Sequence, residues 1–148
     1  MDAMVVSGAI ACLGVSSIGS AIGTGIAAAA AVGAWKKCYA ANKPAPFTLL
    51  TFVGLPLSQT LYGMILMFVM NAKASVTGAG VAMLILGLFS GIGIAASAVF
   101  QGRAAAAACD AQAETGQGLA NYVIALGVVE TVSIFVMVFT IISIGKIA

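Results

Sequence analysis

The chain has 148 residues, of which 62% are hydrophobic and only 7% are charged, and its formal net charge is +2. A soluble domain carries roughly 25% charged residues, so this composition excludes a water-soluble enzyme and indicates a membrane protein. The sequence has no histidine, and Cys12, Cys38 and Cys109 lack the spacing of a disulfide framework or a metal site. Its few positive charges are too dispersed to bind nucleic acid, so no nucleic-acid partner is expected.

Four apolar stretches are each long enough to cross a bilayer as a helix, which takes about 20 residues. The first runs from about residue 5 to 35 and contains no charge. The others cover residues 47–70, about 76–102, and about 119–145, and only the last of them contains a charged residue, Glu130. We therefore predict an all-α membrane protein with four transmembrane helices.

The connections between the spans differ in charge. Residues 36–46 join the first two spans through a segment rich in lysine and proline, and residues 103–118 are predicted to form a bend between the last two. These two connections hold four of the six basic residues, and the opposite side holds Lys73 and Lys146. Because cytoplasmic loops carry the excess of Lys and Arg, we expect both connections in the cytoplasm and both termini on the outer side of the cell membrane.

The two halves of the sequence resemble each other, which indicates an internal repeat. Residues 20–26 precede a run of alanines in the first half, and residues 97–103 precede a similar run in the second. Further along, residues 55–60 match residues 126–131. Both matches fall at corresponding places in their halves, so they relate the first span to the third and the second span to the fourth.

The repeat predicts two tandem helical hairpins, residues 1–74 and residues 75–148. It aligns Gln59 with Glu130, so that one half has an amide where the other has an acid. It also aligns Thr24 with Gln101. The first and third spans are rich in glycine and alanine, and small residues of this kind permit close packing of membrane helices.

Glu130 is the most informative residue in the sequence. It lies about midway along an apolar span, where an ionised side chain costs roughly 3 kcal/mol on insertion scales. Such a side chain must be paired, neutralised or bound to a cation, and intramembrane acids usually mark ion or proton pathways. The alternative is an acid that only forms hydrogen bonds between helices.

Several oxygen-bearing side chains are available to accompany this acid. Ser58, Gln59 and Tyr62 share one side of the second span, and Gln101 lies near the cytoplasmic end of the third. Pro56 lacks an N–H, so it frees a backbone carbonyl at this level. Hydroxyl, amide, carbonyl and carboxylate oxygens are hard donors that suit an alkali cation, and their number favours Na⁺. A proton site would need only the acid and one hydrogen-bond partner.

These residues resemble a known family. Residues 55–63 read Leu-Pro-Leu-Ser-Gln-Thr-Leu-Tyr-Gly, residues 101–106 read Gln-Gly-Arg-Ala-Ala-Ala, and residues 129–131 read Val-Glu-Thr. Together with the duplicated hairpin and the acid in the last helix alone, they are similar to the membrane-rotor proteolipid, the K or c subunit, of V-type rotary ATPases. The resemblance covers essentially the whole chain and is to the bacterial sodium-type members.

The resemblance implies a role for particular residues in holding Na⁺, with H⁺ and no metal as the alternative. In sodium-type members the ligands are a glutamate, two glutamines, a threonine hydroxyl and a backbone carbonyl, with a tyrosine near the carboxylate. Position 58 is serine rather than threonine, which preserves the hydroxyl. The implied ion-binding residues are Glu130, Gln59, Ser58, Gln101, Leu55 through its carbonyl, and Tyr62.

The resemblance also implies partners. Identical copies are expected to form a ring in the lipid bilayer. A membrane stator subunit would supply an arginine that displaces the cation, and a central-stalk subunit would bind the cytoplasmic face. The chain has no Gly-x-x-x-x-Gly-Lys-[Ser/Thr] phosphate loop, so no catalytic residue is assigned and ATP chemistry is expected on other subunits.

Two other classes of function remain open at this point. A small secondary transporter can also rely on one intramembrane glutamate, although the amide at the equivalent position of the other half argues against it. A purely structural membrane adaptor would give no reason for Glu130 to face Gln59.

Overall fold

The computed structural model describes residues 2–76 and 78–147, and in this part of the chain every regular element is helical and no strand is present. Four helices are long and apolar enough to cross a membrane, as predicted. Thr77, in the predicted third span, lies outside the described residues. The elements are α1 (Ala3–Ala40), α2 (Leu49–Gly54), a 3₁₀ turn (Leu55–Leu57), α3 (Ser58–Asn71), α4 (Gly80–Thr115) and α5 (Leu119–Gly145).

The fourth predicted span coincides with α5, but α4 is longer than its predicted span. It stays helical for 36 residues, through Thr115, so the bend predicted to begin at residue 103 is wrong. Residues 103–115 contain no proline or glycine and are rich in alanine, the strongest helix former. The helix ends at Gly116, which adopts a left-handed φ of 67° while its N–H donates to the Gln112 carbonyl. Similarly, α1 continues past the predicted end of its span to Ala40.

The second membrane span is interrupted at its proline. Pro56 cannot donate a backbone hydrogen bond, and the chain tightens into the 3₁₀ turn before the α-helix resumes at Ser58. The Ser58 N–H donates to the Leu55 carbonyl. Pro56 is buried, and a Cβ built on Gly23 of α1 would lie 3.1 Å from the Cβ of Pro56. The turn is therefore packed against α1.

The two helices rich in small residues, α1 and α4, run parallel in close contact. A Cβ added to Gly8 would overlap the backbone of Met83, and one added to Gly102 would overlap the backbone of Gly23. Near the C-terminal ends of the two helices, Lys37 forms an exposed ion pair with Asp110, with 2.8 Å between Nζ and Oδ1. Glycine therefore allows the backbones of α1 and α4 to lie close together, as the small residues of these spans predicted.

Apolar side chains form two buried clusters, one toward each end of the bundle. One cluster includes Met83, and the other includes Phe52 and Ala105. Between these clusters along their helices lie Gln59 and Gln101, which are both fully buried. The bundle thus holds a polar layer near its middle, separated from both ends by apolar packing.

Replacement of Gly102 by alanine tests the α1–α4 contact. The atoms nearest to the added methyl group would be backbone atoms of Gly23, which cannot move aside as a side chain can. Gly102→Ala should therefore lower the free energy of unfolding in detergent by about 1–3 kcal/mol. Gly33→Ala is the matched control because a Cβ there would meet nothing within 4 Å. Equal melting temperatures for the two variants would contradict this packing.

Candidate functional site

The only carboxylate of α5 is held by two other helices. Tyr62 of α3 donates its hydroxyl to Oε1 of Glu130 at 2.6 Å. Gln101 of α4 donates Nε2 to Oε2 of the same carboxylate at 3.2 Å. Each carboxylate oxygen therefore has a hydrogen-bond donor, and the acid links α5 to α3 and α4.

No basic side chain within the described ranges neutralises this acid. In residues 2–76 and 78–147 the one salt bridge is the exposed pair of Lys37 and Asp110. Glu130 lies inside the 27-residue helix α5 and is partly exposed at the side of the chain. A bare carboxylate inside a membrane helix is costly, so the acid must be either neutralised by a proton or paired with a cation.

Two fully buried glutamines connect the acid to the other side of the bundle. Gln59 donates Nε2 to Oε1 of Gln101 at 2.8 Å. Gln101 in turn donates Nε2 to the Leu126 carbonyl at 3.0 Å as well as to Glu130. A buried amide needs such partners because an unpaired polar group away from water is destabilising. The two amides are therefore held in defined positions.

The turn around Pro56 supplies the remaining oxygens. Ser58 donates its hydroxyl to the Leu55 carbonyl at 2.9 Å, and its Oγ lies 3.2 Å from Oε1 of Gln59. The 3₁₀ geometry brings this carbonyl and this hydroxyl to the same side of the helix as the Gln59 amide. The local distortion predicted from Pro56 thus contributes two oxygens to the site.

The structure brings all the predicted site residues into one hydrogen-bonded network. The network runs from the Leu55 carbonyl through Ser58, Gln59 and Gln101 to Glu130 and Tyr62. Its oxygens are hard donors, which suit Na⁺ better than a soft metal. Across the described ranges there is no group of three or more His, Cys, Asp and Glu that could hold a metal ion. Within this network Glu130 is the one residue with a charged side chain.

Sequence reasoning missed two contributors to the network. Ser97 donates its hydroxyl to the Val129 carbonyl at 3.0 Å, next to the acid. The Leu126 carbonyl accepts from Gln101. The repeat had included Ser97, but nothing in its spacing indicated a contact with α5. Thr131, which follows the acid, is exposed and bonds to the Val128 carbonyl of its own helix.

Comparison with known proteins does not assign this chain to a family. No protein-family model matches the chain, and no curated protein is significantly similar to it in sequence. The function is therefore argued from the network around Glu130 and from the sequence motifs that form it.

Replacement of Gln101 by leucine tests the central position of this amide. Gln101→Leu would leave the Gln59 amide and one Glu130 oxygen without their partner, which should lower the free energy of unfolding by about 1–3 kcal/mol for each unpaired group. Gln112→Leu on the same helix is the control, since the described residues offer Oε1 of Gln112 no partner. Denaturation in detergent should show a large loss for Gln101→Leu and little change for Gln112→Leu. Similar losses for both would contradict the network.

Proposed function

We propose that this chain is a rotor-ring subunit of a V-type ATPase that binds Na⁺ at Glu130 and carries it across the membrane. ATP hydrolysis or synthesis on other subunits would drive, or be driven by, this movement. The observation that carries the proposal is the position of Glu130 in a membrane helix, joined by hydrogen bonds to Tyr62 and Gln101 and through them to the oxygens of α3.

The preference for sodium rests on the oxygens of the hydrogen-bonded network that the acid joins. A proton needs one carboxylate and one hydrogen-bond partner, and Tyr62 alone would provide that partner. The Leu55 carbonyl, the Ser58 hydroxyl and the two amides add neutral oxygens that a proton site does not require. Such oxygens suit the replacement of the hydration shell of an alkali cation.

Charge neutralisation explains how the acid would pass through lipid. A carboxylate paired with a cation is neutral, so the pair can face hydrocarbon that a bare carboxylate cannot. Moving one charge through a potential of 100 mV is worth about 2.3 kcal/mol, so several ions are needed for each ATP. A stator subunit with an arginine in the membrane would displace the cation from Glu130 when the two meet.

The arrangement of helices supports a ring of identical copies. The close contact of α1 and α4 and the sequence repeat fit two tandem hairpins, with α1 and α4 in an inner layer and the second and fourth spans in an outer one. Large apolar side chains are exposed in the single chain on the outer spans, among them Phe68 and Phe135, and also on α4, among them Phe89 and Phe100. In this arrangement the loops between paired helices face the cytoplasm and meet a central-stalk subunit, and both termini lie outside.

The same ring moving protons is the second candidate. The 2.6 Å bond between Tyr62 and Glu130 supports it, because a proton site needs only the acid and one hydrogen-bond partner. A small glutamate-dependent secondary transporter fits the acid but gives no role to the paired amides of Gln59 and Gln101. Mobility of an intact oligomer in a detergent gel would separate a ring from that transporter.

Carbodiimide labelling of Glu130 distinguishes the two ions. The reagent attacks a protonated carboxyl group, so a bound sodium ion should protect the acid. We expect labelling of the purified protein to fall in NaCl relative to KCl at equal ionic strength and at each of several pH values. Mass spectrometry of the modified peptide measures the extent of labelling.

A Glu130→Gln variant controls for labelling at other carboxyl groups and should show none at this position. Equal labelling in both salts, decreasing only as the pH rises, would indicate a proton ring and would remove the ligand roles of Ser58, Gln59 and Gln101. Absence of labelling under every condition would contradict a titrating membrane acid.

A further inference from the structure

Two hydroxyl groups of α1 have no place in the network around Glu130. Ser20 and Thr24 are one helical turn apart and therefore share a face of the helix. Ser20 is 1% exposed. The hydroxyl oxygens of both residues are buried, and the described part of the chain offers neither of them a hydrogen-bond partner.

Several other hydroxyl groups of the bundle donate to a carbonyl of their own helix, whereas Ser133 on α5 also lacks a partner among the described residues. Ser16 donates to the Cys12 carbonyl at 2.8 Å, Thr131 donates to the Val128 carbonyl at 2.7 Å, and Ser143 donates to the Phe139 carbonyl at 2.8 Å. Serine and threonine commonly make this bond to a carbonyl three or four residues earlier. Ser20 and Thr24 do not, so their hydroxyls remain available to a group outside their own helix.

The register of α1 against α3 places Ser20 beside the site. Gly63 packs directly on the Ser16 side chain, and Gly23 packs on Pro56. Because α1 and α3 run antiparallel, the residue one turn after Ser16 on α1 lies opposite the residue one turn before Gly63 on α3. Counting from either contact, Ser20 falls at the level of Gln59.

One N–H of the Gln59 side-chain amide is not used in the bond to Gln101. Its amide nitrogen carries two hydrogens, and one of them is used in the 2.8 Å bond to Oε1 of Gln101. Its amide oxygen lies 3.2 Å from the Ser58 hydroxyl. The second N–H has no acceptor among the described residues, although the Gln59 side chain is fully buried.

We propose that the hydroxyls of Ser20 and Thr24 and the second N–H of Gln59 bind one water molecule. Buried waters typically have two to four polar partners of this kind. A water molecule can accept from the Gln59 N–H and bond to both hydroxyls, whereas a cation cannot accept from an N–H. The water accepts from Gln59 and so holds the amide with its oxygen toward Ser58. Ser20 and Thr24 are then positioning residues that act through Gln59, and their effect on sodium rests on the proposed function.

A density map of the purified full-length protein, at a resolution that shows ordered water, tests the binding site itself. The expected result is a peak within hydrogen-bond distance of Ser20 Oγ, Thr24 Oγ1 and Gln59 Nε2. A map of that quality without the peak, or with the Ser20 hydroxyl bonded to its own helix, would overturn the proposal. This result does not depend on which ion the protein carries.

Ser20→Ala, compared with Ser16→Ala, tests the consequence for the ion. Both changes remove one buried hydroxyl from the same face of α1, but Ser16 is bonded to its own backbone. Loss of one hydrogen bond to the water should raise the sodium concentration that half-protects Glu130 from carbodiimide by roughly threefold to tenfold in Ser20→Ala. Ser16→Ala should leave it unchanged.

Equal shifts in the two variants, or no shift in Ser20→Ala, would overturn the positioning role. If the unsubstituted protein shows no protection by sodium, the proposed sodium function fails, and the density map alone then decides whether the water is bound.

Discussion

A carboxylate within the bilayer must be satisfied by other groups, and the arrangement of this chain follows from that constraint. Glu130 has no basic partner in the described ranges, and its two oxygens accept from Tyr62 and Gln101 on different helices. Hydrogen bonds stabilise the acid, but they do not supply the positive charge that would neutralise it. Such an acid must be either protonated or paired with a cation from outside the chain.

Helix packing determines which oxygens reach the acid. Gln101 approaches α3 because α4 lies tightly against α1, and that contact requires glycine at Gly23 and Gly102. Pro56 then turns the Leu55 carbonyl and the Ser58 hydroxyl toward the same layer. Two glycines and one proline thus place the donors, although none of the three bears a side-chain oxygen.

Much of the fold and of the candidate site could be predicted from the sequence. Long apolar stretches identified the four spans, and a single charge inside one of them singled out Glu130. The repeat and the Pro56 segment indicated the polar residues, which the structure brings together. The length of α4 was not predicted, because charged residues at 103–115 suggested a loop while their helix propensity and the absence of glycine or proline favoured a helix.

The missed contacts depend on how helices lie against each other. Ser97 reaches the Val129 carbonyl and Gln101 reaches the Leu126 carbonyl only in the register that α4 and α5 adopt. Spacing within one helix does not reveal that register.

The most direct test of the central claim is equilibrium binding of radioactive sodium to the purified protein. The account predicts saturable binding that Glu130→Gln abolishes, whereas absence of saturable binding, or binding that survives this substitution, would contradict it.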